Sequence, residues 1–419
     1  MIEHKNIPEI RFKGFERDWV EMSFDQTFDN IPNNSLSRDK LNYRYGLARN
    51  IHYGDVLIKF GETLDFNNSI VPFITDSDVV ENLKATKLQD GDIVIADAAE
   101  DESVGKCTEL INSNGELVFS GLHTIPVRPK EKFALGYLGY YLNSSAYHDQ
   151  LIRLMQGTKV LSISKSTIRG TTIVYPQNPA EQTRIGTFFQ SLDKLLILHQ
   201  KQYTKLSNLK KAMLEKMFPR PGADTPEIRF KGFEGKWKQD ELSSLAYVFD
   251  GTHQTPHYTE KGIMFLSVEN IKTLKSQKFI SHEAFEKEFA NYPEKGDVLM
   301  TRIGDIGTTN VVESEEKVAY YVSLALLKHK KLNPYFLKEC LMSEVVKEDI
   351  WRKTLHIAFP KKINKSEIEK INIPYPDSET EQAKIGTYFQ NLDRMISHHQ
   401  TRISKLQNIK KACLEKMFV

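Results

Sequence analysis

At 419 residues, 40% hydrophobic and 27% charged, the chain has the make-up of an ordinary soluble protein with room for two or more domains. A formal net charge of +2 is too small to hold nucleic acid by bulk attraction, so any such binding must rest on local patches or on partner subunits. No run of about 18 apolar residues occurs and the N-terminus lacks a signal-peptide core, which excludes a membrane partner and predicts a cytoplasmic protein.

The first recognisable element is an arm, PEIRFKGFERDW, at 8–19. It returns as PEIRFKGFEGKW at 226–237. A middle follows each arm, at 16–177 and at 234–377, and the two middles hardly resemble each other. Strand-like runs at Asp55–Phe60, Thr124–Arg128 and Ala319–Ala325 alternate with helical stretches near 133–155 and 334–350, which predicts an α+β domain in each half. A few signatures persist in both middles. Gly91–Ile95 matches Gly296–Met300 as a turn leading into a strand, and Ser162–Pro176 matches Lys362–Pro376.

Each middle ends in a long amphipathic stretch. Glu181–Phe218 and Glu381–Phe418 share about 22 of 38 residues at a constant offset of 200, so the chain is a tandem duplication. Apolar residues fall at steps of four and three (Ile185, Phe189, Leu192, then Leu206; and Ile385, Phe389, Leu392, then Leu406), which predicts a rod with one sticky stripe. Asn178-Pro179 with Glu181, and Ser378 with Glu381, read as capping boxes. Pro219 stops the first rod and the end of the chain stops the second. A helix of about 41 residues runs roughly 60 Å. The two rods are expected to pack antiparallel on each other. The segments are thus 1–177, 178–218, 219–377 and 378–419, and Pro219–Gly222 is the one obvious hinge.

Residues that could carry chemistry are scarce. There is no GxxxxGK[ST] loop, and Gly304-Asp-Ile-Gly307 reads as a tight turn rather than a dinucleotide fingerprint. Asn333-Pro334-Tyr335 reads as a helix opening. Glu227 with Glu234 and Lys236 fails as a nuclease pattern, because the first arm has Arg17-Asp18 where the Gly-Lys should stand. His199, His398 and His399 lie in the rods without ligand spacing, so no metal site is expected. Cys107, Cys340 and Cys413 are odd in number and far apart, and are expected as buried thiols.

What remains is a set suited to base edges and phosphates: Arg44, Arg49 and Lys59 near Tyr43, Tyr45 and Tyr53; Thr158 and Lys159 after Arg153; Thr252, His253, Gln254 and Thr255 in the segment Asp250–Tyr258; and Arg302 before a glycine turn. They lie in the parts that differ between the halves.

The repeated PEIRFKGF arms, the Tyr175-Pro176 to Glu181-Gln182 and Tyr375-Pro376 to Glu381-Gln382 entries, the KLxNxKKAxLEKMF rod ends, and the DGTHQTPHY and TRIGDIG segments together resemble the specificity subunit of type I restriction-modification systems. That resemblance covers essentially the whole chain. It implies two target recognition domains, each reading half of a bipartite sequence in double-stranded DNA, and two conserved spacer helices that dock two methyltransferase subunits. Restriction and translocase subunits would complete the assembly. The chain itself would be non-catalytic, with S-adenosylmethionine, ATP and Mg on the partner subunits. The first middle lacks the DGTH and TRIGDIG segments, so contact residues transfer to it less directly. Two other readings stay open: a stand-alone nuclease, and a coiled-coil adaptor that binds only protein.

Overall fold

The computed structural model describes residues 6–419. Residues up to His199 together with Arg402–Val419 form one compact unit, and Gln200–Thr401 form the other. Both are mixed α/β.

The rods are continuous helices, Pro179–Lys216 and Glu379–Lys416. The division between units falls within them, so each unit owns the start of one rod and the end of the other. In the first unit the two pieces run antiparallel: Lys410 meets Asp193, and eight residues further on Phe418 stacks on Phe189 with ring centroids 5.7 Å apart. In the second, Lys210 meets Asp393 and Phe218 lies 6.1 Å from Phe389. The apolar stripe is consumed in these packings. Ile185, Phe189, Leu192 and Leu406 belong to the first unit's core, and Ile385, Phe389, Leu392 and Leu206 to the second's. Seven of these eight side chains are buried in their own unit's core, and Leu406 is partly buried against it. The rod segments of the first unit leave Leu195, Ile197, Leu198 and Ile409 exposed.

Each rod begins at a side-chain cap, from Asn178 Oδ1 to the Ala180 N–H at 3.0 Å and from Ser378 Oγ to the Glu381 N–H at 3.3 Å. The expected reciprocal half of the box is not made. Glu181 and Glu381 turn away from their caps to take a bidentate guanidinium from the arm, Arg11 at 2.7 and 2.9 Å and Arg229 at 2.7 and 2.8 Å. A buried carboxylate gains more from a charged two-point partner than from one backbone N–H. The neighbouring Gln182 and Gln382 donate to the carbonyls of Pro176 and Pro376 and accept from the N–H of Ala134 and Asn333. The Glu-Gln pair at each rod entry thus holds the arm with one side chain and the middle with the other.

The arms finish the same knot. Ile10 N–H donates to Lys416 O at 2.9 Å and Ile228 N–H to Lys216 O at 2.8 Å, capping the open carbonyl end of a rod. Trp19 packs edge-on to Phe418, and Trp237 edge-on to Phe218.

The middles share a strand framework. In the first unit Phe28–Asn30, Thr124–Pro129, Ile93–Ala96 and Cys107–Ile111 form an antiparallel sheet, with Thr63–Asp65 added parallel at its edge. In the second, Ala246–Asp250, Leu324–His329, Val298–Thr301 and Thr309–Val311 repeat that order. A second small sheet in each unit contains one parallel pair, Arg49–Ile51 with Val118–Ser120 and Ile263–Leu266 with Val318–Tyr320.

Three sequence expectations change. Asp55–Phe60 is not a strand: Tyr53–Ile58 is a helix, begun by His52 Nδ1 accepting the Gly54 N–H, with Asp55 and Lys59 paired one turn apart. A short apolar run carries no period of its own, and the cap decided it. Ala319–Ala325 is two strands, Val318–Tyr320 and Leu324–His329, with a turn between them. Of the three cysteines, Cys107 and Cys340 are buried, whereas Cys413 on the second rod is only partly so.

Candidate nucleic-acid interface

In both units the loops at one end of the central strands are tied to a hairpin that leads into a short helix. In the second unit Leu355 and Lys362 close the hairpin, with the Leu355 N–H donating to Lys362 O at 2.8 Å. The Arg302–Gly307 turn lies against it: Gly304 N–H donates to Lys361 O at 2.9 Å, and Ile363 N–H to Arg302 O at 3.0 Å. Gly304 and Gly307 hold φ of 79° and 90°, left-handed conformations that a side chain resists.

The Arg302 side chain runs inward. It is 6% exposed, pairs with Asp250 and donates from Nε to Ile363 O at 3.2 Å. The sequence reading has it point at bases; instead it ties the Asp250 segment to the hairpin, where the Asp250 carboxylate and the Ile363 carbonyl replace the water that burial removes. Beyond Asp250, Thr252 bridges to Tyr321 and donates to Glu288, while His253, Gln254 and Thr255 are exposed. The structure therefore brings together the Asp250–Thr255 segment, the glycine turn and the hairpin.

The first unit builds the same end differently. Gln156 and Ser162 close its hairpin, and Leu161–Ser162 pairs with Ala98–Ala99. Thr158 and Lys159 are exposed at the tip. Gly157, at φ 120°, is required there, since a Cβ would come within 2.0 Å of Val160 O. Asp97, at the position of Arg302, accepts the Ile163 N–H through its carbonyl and holds His123 at 3.1 Å through its carboxylate. Burial raises the Asp97 carboxyl above its ordinary range, with His123 pulling the other way. His123 lies edge-on to Tyr53, which heads the helix carrying Asp55 and reaching Lys59.

Asp55 is buried and holds Arg38 at 2.6 Å and Lys59 at 3.0 Å. Burial pushes its carboxyl up, but the two cations more than offset that and leave it below the usual range. Arg44 is exposed, on a turn made by Asn42 Oδ1 accepting the N–H of Arg44 and Tyr45. Arg49 is elsewhere and occupied: it pairs with Glu116, donates to Val71 O at 2.7 Å and lies over the Phe73 ring.

Sequence reasoning missed the hairpin surroundings. No acidic residue occurs between Asp149 and Glu181, a span holding Arg153, Lys159, Lys165 and Arg169; none occurs between Asp349 and Glu367, a span holding Arg352, Lys353, Lys361, Lys362 and Lys365. That absence of carboxylates was readable, and it marks the same hairpin in both units. Among the described residues no cluster of His, Cys, Asp and Glu could hold a metal ion.

Two copies of one mixed α/β unit, each with a basic, carboxylate-free hairpin beside divergent loops, define a tandem nucleic-acid recognition protein. The family model for the type I restriction modification DNA specificity domain matches twice, at residues 49–208 and 236–408, and the chain belongs to that family of specificity subunits. The type I restriction-modification S subunit from M. genitalium, a crystal structure, has a similar fold: 14% identity over 99% of both chains, TM-score 0.67. A chain from a structure described as the basis of complex assembly and conformational transition of the type I R-M system is 16% identical over 96% of this chain and 97% of that one, TM-score 0.50. No curated protein matches the chain in sequence.

Proposed function

We propose that each unit reads one half of a bipartite site in double-stranded DNA, and that the two rods dock methyltransferase subunits and set the unread gap. Restriction and translocase subunits join that assembly, which works in the cytoplasm. In this reading the recognition domains span 1–177 and 219–377, and the spacer helices 178–218 and 378–419. The chain is a non-catalytic scaffold. S-adenosylmethionine, ATP and Mg act on the partner subunits.

One observation carries the reading: the knots of arm, rod entry and rod end are repeated almost residue for residue, while the loops at the hairpin end differ. Selection for packing alone would not divide the chain in that way. A wrong base pair costs about 1–3 kcal/mol, so two readers of several base pairs each discriminate strongly even when neither binds tightly alone.

Methylome sequencing of cells carrying the chain with its methyltransferase supplies the recognised site. Exchanging residues 16–177 for the matching segment of a relative is expected to change one half of that site and leave the other intact. A change in both halves, or in neither, overturns the assignment. Deleting seven residues, two helical turns, from one rod is expected to alter the gap and spare both half-sites.

A further inference from the structure

The hairpin of the second unit carries the barest apolar side chains of the described residues. Ile357 is 99% exposed and Phe359 103%, with Trp351 at 64% on the helix that leads in. Single exposed apolar residues are common on any surface, but two at a loop tip with their whole side chains in water are not. Of the cations in this stretch, the two that directly follow the tip are uncommitted. Lys353 is taken up by Asp349 and Lys365 lies near Glu369, whereas Arg352, Lys361 and Lys362 make no ion pair among the described residues.

An apolar point followed directly by two unpaired lysines matches one kind of partner, a polyanion with an apolar interior. Duplex DNA has that construction, with phosphates outside and stacked bases within. A protein patch would have to place several carboxylates around an apolar hole at the same spacing. The tip is also well braced, since Leu355, Gly304 and Ile363 all hydrogen-bond across its base and the buried Arg302 guanidinium reaches the Ile363 carbonyl.

We propose that this tip is a wedge. Ile357 and Phe359 enter the base stack in or beside the second half-site, while Lys361 and Lys362 sit on the flanking phosphates. The proposal deepens the reading of the second unit as a DNA reader and rests on it. Phe, Ile and Pro are side chains that unstack base steps, and pyrimidine–purine steps yield most easily. The insertion then favours sites with such a step, which adds specificity at a position that no hydrogen bond reads. The first unit's tip holds only Val160, 56% exposed, so the wedge belongs to the second unit alone.

The test uses the full chain in complex with its methyltransferase, on duplexes carrying the methylated site, with 2-aminopurine placed singly at each step across and beside the second half-site. Fluorescence is expected to rise several-fold at one pyrimidine–purine step. The double variant Ile357→Ser, Phe359→Ser, altered only at exposed positions, should lose that signal and bind at least tenfold more weakly with an unchanged salt slope. Any base that the methyltransferase flips out gives a separate signal, which this variant keeps. Lys361→Ala with Lys362→Ala should keep the unstacking signal at saturation and lower the salt slope by about two. Sequence-dependent binding by the unaltered chain with no unstacked step overturns the wedge and leaves DNA reading intact. No sequence-dependent binding overturns the reading beneath it. Weaker association of the serine variant with the methyltransferase, with its DNA binding unchanged, assigns the tip to protein docking and overturns the wedge.

Discussion

Lys410 places its Nζ 2.7 Å from Asp193 Oδ1, joining positions 217 apart in sequence, and also 2.7 Å from Glu62. Its duplicate Lys210 reaches Asp393 at 2.6 Å and Glu339 at 3.1 Å, but there Lys338 adds a second cation. In the first unit Tyr140 stands in that place and donates its hydroxyl to Asp193 at 2.7 Å. The electrostatics of the two copies have therefore parted. Burial pushes the Asp193 carboxyl up and Lys410 pulls it back only in part; at Asp393 the same burial is more than offset by Lys338 and Lys210, so it lies low.

The lysine substitutions should accordingly differ. Lys410→Ala leaves Asp193 with a neutral partner and is expected to cost the first unit about 2–3 kcal/mol, whereas Lys210→Ala leaves Lys338 in place and costs the second about 1 kcal/mol. Denaturant unfolding, with hydrogen exchange to assign each loss to its unit, measures both. Equal costs would show that Lys338 does not support Asp393.

The arms are predicted to act as clasps. Arg11→Ala strands Glu181, whose side chain is 2% exposed, and should cost the first unit about 3 kcal/mol; Arg229→Ala does the same to Glu381 and the second unit. Exchange of the Ile10 and Ile228 amides, bonded to rod-end carbonyls, should quicken only in the unit whose arginine is removed.

Arg302→Ala is expected to destabilise the second unit by about 1–3 kcal/mol, since it leaves the partly exposed Asp250 with only His253, 3.9 Å away, among the described residues, and frees the hairpin. Adding Asp250→Ala should recover part of that loss, as a double-mutant cycle would read. If Arg302→Ala changes base preference without changing stability, the side chain has a direct reading role.

Glu109 gives the first unit a pH dependence. It is fully buried, and burial raises its carboxyl from 4.5 to about 7, against the N–H groups of Gly139, Gly136 and Leu138, which favour the charged form. The folded state thus holds the proton more tightly than the unfolded one between those values. The contribution is complete below about pH 4.5 and is lost as pH rises through 7, on the order of 3 kcal/mol in all. Unfolding of the unaltered chain and of Glu109→Gln between pH 5 and 8 should show the slope flattened in the variant.

Much of the architecture could be read in the residues. The duplication, the rods, the arms and the Asn333 helix opening all rest on repeated identity or on local chemistry, which act over a few residues. Thr158, Lys159, His253, Gln254 and Thr255 could be picked out from residue type, turn-rich context and divergence, and the structure leaves them exposed, but their gathering at a hairpin end could not be read. Arg49 and Arg302 were not legible, because a cation near aromatic residues or glycines looks the same in sequence whether it faces water or a buried carboxylate.

The sequence by itself determined that this protein is two copies of one plan, since periodic stripes, caps and duplicated motifs are local and survive divergence of everything between them. Only the tertiary structure decided which partners those motifs take: Glu181 and Glu381 hold the arms instead of their caps, Tyr53–Ile58 coils around a buried Asp55, Arg302 turns inward, and Ile357 and Phe359 are left in the open. The physical reason is that burial, not residue type, sets the value of a charge or an apolar side chain, and burial is settled by segments that meet from far apart in the chain.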